Sequence, residues 1–120
     1  MKDKFFVDCK PEDVVVTTGS QQALFILAQI LVDKDQTILM ESPSYMGAIM
    51  AFDPVGPKYT EVPTDDQGIV PEELEKILAA DDSIRMIYVI PEFQNPTGIT
   101  WPVERRKASW ISSISTTSSY

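Results

Sequence analysis

Short runs of β-branched and aliphatic residues alternate with segments of helical period along most of this chain, and that alternation restricts the fold more than any other feature. Val14-Val15-Val16-Thr17-Thr18 has the pattern of a buried strand. It stops at Gly19-Ser20, and Gln21 to Val32 then carries Leu24, Leu27, Ala28 and Leu31 at helical spacing. Thr37-Ile38-Leu39-Met40 is a second strand, halted at Ser42-Pro43, and a short helix from Ser44 to Phe52 is closed by Asp53-Pro54. Lys58 to Val62 alternates just before Pro63 and suits a strand near a sheet edge. Asp65-Asp66-Gln67-Gly68 is a turn. Pro71 then opens a helix with Glu72 and Glu73 in its first turn, where the helix dipole favours acids, and Leu74, Ile77 and Leu78 give it one apolar face. Met86-Ile87-Tyr88-Val89-Ile90 is the last strand, ending at Pro91. Strands separated by helices predict an α/β fold: βαβ units, a mostly parallel sheet, and helices on both faces.

In an open sheet of this kind, ligands sit beyond the carboxyl ends of the strands. Three short motifs are expected on that rim. In Thr18-Gly19-Ser20-Gln21, Gly19 permits a tight turn and Ser20 can cap the helix, so the free N–H groups of Ser20, Gln21 and Gln22 would face an anion such as phosphate. Alone, such a start is more often a plain helix cap. In Glu41-Ser42-Pro43-Ser44-Tyr45, the Tyr45 ring lies just past a strand, where it can stack on a flat group or simply pack. Asn95-Pro96-Thr97-Gly98 fixes a turn that can aim the Asn95 amide back over the strand end, toward a phenolic oxygen.

Composition removes several alternatives. The chain contains no histidine, which excludes a Ser-His-Asp hydrolase, a Cys-His protease and a histidine-based zinc site within it. Its single cysteine, Cys9, forms no internal disulfide and fits a reducing compartment. A net charge of −8 gives no electrostatic support for binding nucleic acid or an anionic membrane. Neither a signal-peptide core nor an apolar run of about 20 residues is present, so the cytoplasm is the expected location.

Taken together, Thr18-Gly19-Ser20-Gln21-Gln22-Ala23-Leu24, Glu41-Ser42-Pro43-Ser44-Tyr45 and Asn95-Pro96-Thr97-Gly98 resemble the large domain of fold-type-I, class I/II pyridoxal-phosphate-dependent aminotransferases, and particularly the kynurenine/2-aminoadipate group. The similarity runs from about residue 8 to 107, with the order and spacing of the motifs kept. The resemblance implies that Ser20 and Gln21 hold the phosphate of pyridoxal 5′-phosphate, that Tyr45 stacks on its pyridine ring, and that Asn95 bonds its 3-oxygen. It also implies amino acid and 2-oxo acid substrates, a place in amino acid metabolism, and a homodimeric parent enzyme.

The family's Schiff-base lysine stands in a Ser-x-Ser-Lys context, and none of Lys2, Lys4, Lys10, Lys34, Lys58, Lys76 or Lys107 has one. No catalytic residue and no metal ligand is therefore assigned, and the chain is expected to be part of a longer domain. Residues 1–107 are expected to be a partial cofactor-binding domain. Residues 108–120, rich in Ser and Thr, show no helical or strand period and read as a non-family tail, ordinarily disordered. A permitted choice of codons for that tail, read in another frame, spells a family-like segment, as a frameshift or gene-fragment end would produce. Two other readings stand beside the enzyme fragment. One is an aminotransferase-like sensor domain of a transcription regulator, against which Asn95-Pro96-Thr97-Gly98 weighs. The other is a non-functional remnant that keeps its fold.

Overall fold

The computed structural model describes the backbone of residues 8–117 and the side-chain surroundings of residues 8–110. Its centre is β1 (Thr37–Glu41), every residue of which is buried. On one side β1 pairs in parallel with β2 (Lys58–Val62), from Thr37 opposite Lys58 to Glu41 opposite Val62. On the other it pairs in parallel with β5 (Ile84–Tyr88), with Ile38 opposite Met86 and Met40 opposite Tyr88. The order β2-β1-β5 leaves β2 at an edge, as its proline-bounded sequence predicts. A two-residue hairpin, β3 (Thr64–Asp65) with β4 (Gly68–Ile69), occupies the expected turn. Gly68 is indispensable there: its φ is +111°, and a Cβ would come within 2.6 Å of three Trp101 ring atoms.

The period of two in β1 divides the core. Ile38 and Met40 face α1 (Ser20–Leu31) and α2 (Met46–Phe52), in a cluster with Ala28, Val32, Ala48, Ala51 and Phe52. Phe52 meets Tyr88 edge to face, with ring centroids 5.6 Å apart. Leu39 points to the opposite face and packs with Val62, Ile69, Leu74 and Trp101, beneath α3 (Pro71–Ala80). Helices thus lie on both faces. Proline at the first position, with Glu72 and Glu73 in the first turn, starts α3 where the sequence predicts.

Three expectations are corrected. Val14 to Thr18 is not a strand. Val14 is in extended conformation, but Val15 and Val16 are 83% and 92% exposed, and no described strand pairs with them. Their β-branched apolar character describes a residue type suited to a sheet interior, while pairing depends on a neighbour that the described residues do not supply. The last strand runs Ile84–Tyr88 rather than 86–90, since Val89 and Ile90 already leave the ladder toward the loop. The Ser/Thr-rich stretch is also not irregular over its described part: α4 runs continuously over Val103–Thr117.

The first turns of α4 account for its formation. Arg105 makes a forked pair with the Asp65 carboxylate at 2.9 and 3.0 Å and also donates to the Ile69 carbonyl at 2.9 Å, anchoring the helix to the hairpin. Arg106 donates to the Trp101 carbonyl at 3.1 Å and to Glu92 at 3.0 Å. Ser109 folds its hydroxyl onto the Arg105 carbonyl at 2.9 Å, so a poor helix former meets its hydrogen-bonding need inside the helix. No helix among the described residues is long and apolar enough to cross a membrane.

Candidate functional site at the carboxyl rim of the sheet

Because β1 and β5 are parallel, the loops that follow them emerge on the same rim. The first carries Ser42-Pro43-Ser44-Tyr45 and the second Glu92 to Gly98. They are joined directly. The Gln94 side chain, 3% exposed, donates from Nε2 to the Pro43 carbonyl at 2.8 Å. Its Oε1 accepts from the Thr97 N–H at 2.9 Å and the Thr97 hydroxyl at 2.7 Å. Beneath this bridge, Glu41 at the end of β1 accepts the Ile90 N–H at 2.5 Å. The third motif reaches the rim through Gln21, whose Nε2 donates to the Gly47 carbonyl at 2.5 Å, fastening the start of α1 to the start of α2. All three motifs therefore sit together, and two glutamine amides hold them.

Within that frame Gly19, not Ser20, is the N-cap of α1, with φ of +92°, and Ser20 is the first helical residue. No side chain caps the helix. Gln22 instead turns back and accepts from the Thr18 N–H at 2.6 Å and the Thr18 hydroxyl at 2.9 Å. The N–H groups of the first turn are thus left open. Ser20, Gln21 and Asn95 are exposed, and the Ser20 and Asn95 side chains have no hydrogen-bond partner among the described residues. One amide hydrogen of Gln21 is spent on Gly47, leaving its backbone N–H and its second amide hydrogen. Tyr45 is half-buried against the α1/α2 core and lies so close over Gly47 that a Cβ there would collide with its ring.

Sequence reasoning expects the Asn95 amide to reach back over the strand end, but the amide bonded there belongs to Gln94. A glutamine in a loop gives no period and no turn signal, so only its partners distinguish it. Glu41 is the second residue that reasoning missed. It is 4% exposed, and burial pushes its carboxyl above the ordinary value of 4.5, opposed by the Ile90 N–H and the nearby Trp101 indole. That indole N–H is buried without a full hydrogen bond. A space of about 10 Å³, lined by Glu41, Gln94, Thr97 and Trp101, has room for one water. Ser20, Gln21 and Asn95 lie on the exposed part of the rim, outside that space. The larger apolar groove, about 420 Å³ between Leu74, Ile87, Val89, Trp101 and Trp110, shares none of the four candidate residues.

No protein-family model matches the chain. Individual relatives do. It is 43% identical over 102 residues to 2-aminoadipate transaminase of Thermus thermophilus, a match covering 85% of this chain and 25% of that one. It is 35% identical over 105 residues to the mitochondrial kynurenine/alpha-aminoadipate aminotransferase of Rattus norvegicus, covering 79% and 25%. Among solved structures, alpha-aminoadipate aminotransferase from Thermus thermophilus, complexed with N-(5′-phosphopyridoxyl)-L-leucine, superposes with a TM-score of 0.87 at 39% identity, over 93% of this chain and 28% of that one. An archaeal alanine:glyoxylate aminotransferase gives 0.83 at 37% identity, over 95% and 29%. The parallel sheet with helices on both faces therefore has the fold of the fold-type-I pyridoxal-phosphate-dependent aminotransferases. The relatives and structural neighbours of this chain are aminotransferases of that class, 2-aminoadipate and kynurenine aminotransferases among them. It spans about a quarter of the length of the curated relatives it matches.

Proposed function

We propose that this chain is the cofactor-cradle segment of an aminotransferase that moves an amino group from an amino acid to a 2-oxo acid. One observation carries the reading: the three motifs are tied to one rim by Gln21 to Gly47 and Gln94 to Pro43. The donor set fits pyridoxal 5′-phosphate. An uncapped helix start suits a phosphate, an aromatic ring suits a flat heterocycle, and an unpartnered amide suits a phenolic oxygen. The first-turn N–H groups of α1, with the Ser20 hydroxyl and Gln21, would hold the phosphate. Tyr45 would cover one face of the ring and keep water from it, and Asn95 would bond the 3-oxygen and set the ring plane. When bound, the cofactor supplies the electron sink for charge developing at the amino acid's α-carbon, while the protein supplies binding and orientation. Asn95 favours this enzyme reading over a sensor domain.

The test is a titration of isotope-labelled chain with inorganic phosphate and with pyridoxamine 5′-phosphate, which has the ring, 3-oxygen and phosphate but no aldehyde to react with lysines. Both ligands are expected to move the amides of Ser20, Gln21 and Gln22, and only the second to move Tyr45 and Asn95. Without a covalent link, affinity should be near millimolar, about −4 kcal/mol. Perturbation confined to other residues, or a titration unchanged by Ser20→Ala with Gln21→Ala, rejects the cradle.

A further inference from the structure

Gln94 is more deeply committed than any residue assigned to the site. Its hydrogen bonds identify both side-chain atoms: the Pro43 carbonyl can only accept, so the atom facing it is Nε2, and the Thr97 N–H can only donate, so the atom facing it is Oε1. Position 94 therefore requires a donor and an acceptor on one short planar end. Leucine supplies neither, and a carboxylate supplies only the acceptor. The main chain of Gln94 is equally fixed, since its N–H donates to the Ile99 carbonyl at 2.9 Å and its carbonyl accepts from Gly98 at 2.5 Å. Trp101 N–H to the Pro91 carbonyl, at 2.8 Å, closes the loop further out.

Two consequences follow for the rim. Asn95 is the next residue along a loop that Gln94 immobilises. Tyr45 is two residues beyond the carbonyl that Gln94 holds. Among the described residues only the Gln94 side chain bridges the two loops by a hydrogen bond, and the Glu41 bond lies deeper, between the end of β1 and Ile90. We propose that Gln94 is a positioning residue of the cofactor site: it sets the separation of Tyr45 from Asn95, so that ring and amide meet the same heterocycle. The proposal rests on the cradle reading above, and its test separates the two.

The experiment repeats the titration on the 120-residue chain with Gln94→Leu and Gln94→Glu, following the Asn95 side-chain amide with pyridoxamine 5′-phosphate and the Ser20 amide with inorganic phosphate. With Gln94→Leu the phosphate response at Ser20 is expected to persist, while the Asn95 response saturates at roughly fivefold higher ligand, the factor one lost hydrogen bond gives. Gln94→Glu provides a readout that a merely structural role would not move. At neutral pH its carboxylate faces the Pro43 carbonyl and the Asn95 response is weakened. As the pH falls and the carboxyl is protonated, it again offers a donor and an acceptor, and the response should recover relative to the wild-type chain at the same pH. Should Gln94→Leu disturb the β1 amides of Ile38 and Leu39, the acid recovery of Gln94→Glu decides. An Asn95 response equal to wild type in Gln94→Leu, or no recovery in Gln94→Glu, overturns the positioning role while the cradle stands. No response at Ser20 in the wild-type chain removes both.

Discussion

Glu41 ends the central strand with an ionisable carboxyl at 4% exposure, and its titration should be visible in the stability of the fold. Burial raises its pKa from 4.5, and the Ile90 N–H and the Trp101 indole counter that only in part. A carboxyl raised on folding binds its proton more tightly in the folded state. Its contribution is complete below pH 4.5 and is lost as pH rises through the folded value. Asp65 and Asp81 act in the opposite sense. The hydrogen bond from Arg105 holds Asp65 below 3.8, and the Ser83 hydroxyl does the same for Asp81, so their contributions are present above 3.8 and are lost at more acid pH. Denaturant midpoints measured from about pH 5, above most of the aspartate titration, to neutrality should fall with rising pH in the wild-type chain, and Glu41→Gln should remove that fall. A variant that keeps the slope assigns it to another group. At this scale Ser20, Gln21, Tyr45 and Asn95 stand out as candidates because each belongs to a motif with a turn or helix signal. Gln94 and Glu41 do not, because a buried polar residue is defined by partners distant in sequence, here 51 and 49 residues away.

Elements differ in how much of their cause is local. The Pro71 helix was legible from its sequence, since proline, two acids and an apolar stripe all act within ten residues. Its stability is tertiary. Leu74 is fully buried in the cluster with Leu39, Val62, Ile69 and Trp101, so Leu74→Ala should cost about 2–5 kcal/mol by chemical denaturation. The exposed neighbour change Glu75→Ala should cost far less, and equal losses would mean that this face of the sheet is not a packed core. Val14 to Val16 shows the reverse case. Its strand propensity is strong and local, yet it stays unpaired because a ladder needs a second strand. The second half of α4 was missed for a third reason. Serine and threonine disfavour a helix by only about half a kcal/mol each relative to alanine, and a helix already nucleated by the Arg105 and Arg106 anchors propagates through them.

The whole molecule combines a sound central strand with unfinished surroundings. Its apolar surface makes a physical prediction. Val15 and Val16 are almost fully exposed, Ile30 is 72% exposed, and Phe25, Leu27 and Leu31 leave α1 apolar around most of its circumference. Both outer strands, β2 and β5, have one unpaired edge among the described residues, and an apolar groove of about 420 Å³ opens beside β5. Uncovered surface of this extent drives association, whereas a net charge of −8 opposes it over a range set by salt. At low ionic strength the repulsion reaches about 30 Å and should hold copies apart; near 0.15 M it reaches only about 8 Å, and apolar contact should prevail. Sedimentation velocity should therefore show mass rising with chain concentration and with salt, and the denaturation midpoint should rise with concentration as well. Val16→Lys with Ile30→Glu replaces two exposed apolar side chains without touching the buried cluster, so it should return the chain to monomer at unchanged salt. A wild-type chain that stays monomeric with a sharp cooperative melt at high salt and high concentration would show that this surface is tolerated, and that β1 and its two clusters suffice to hold the fold.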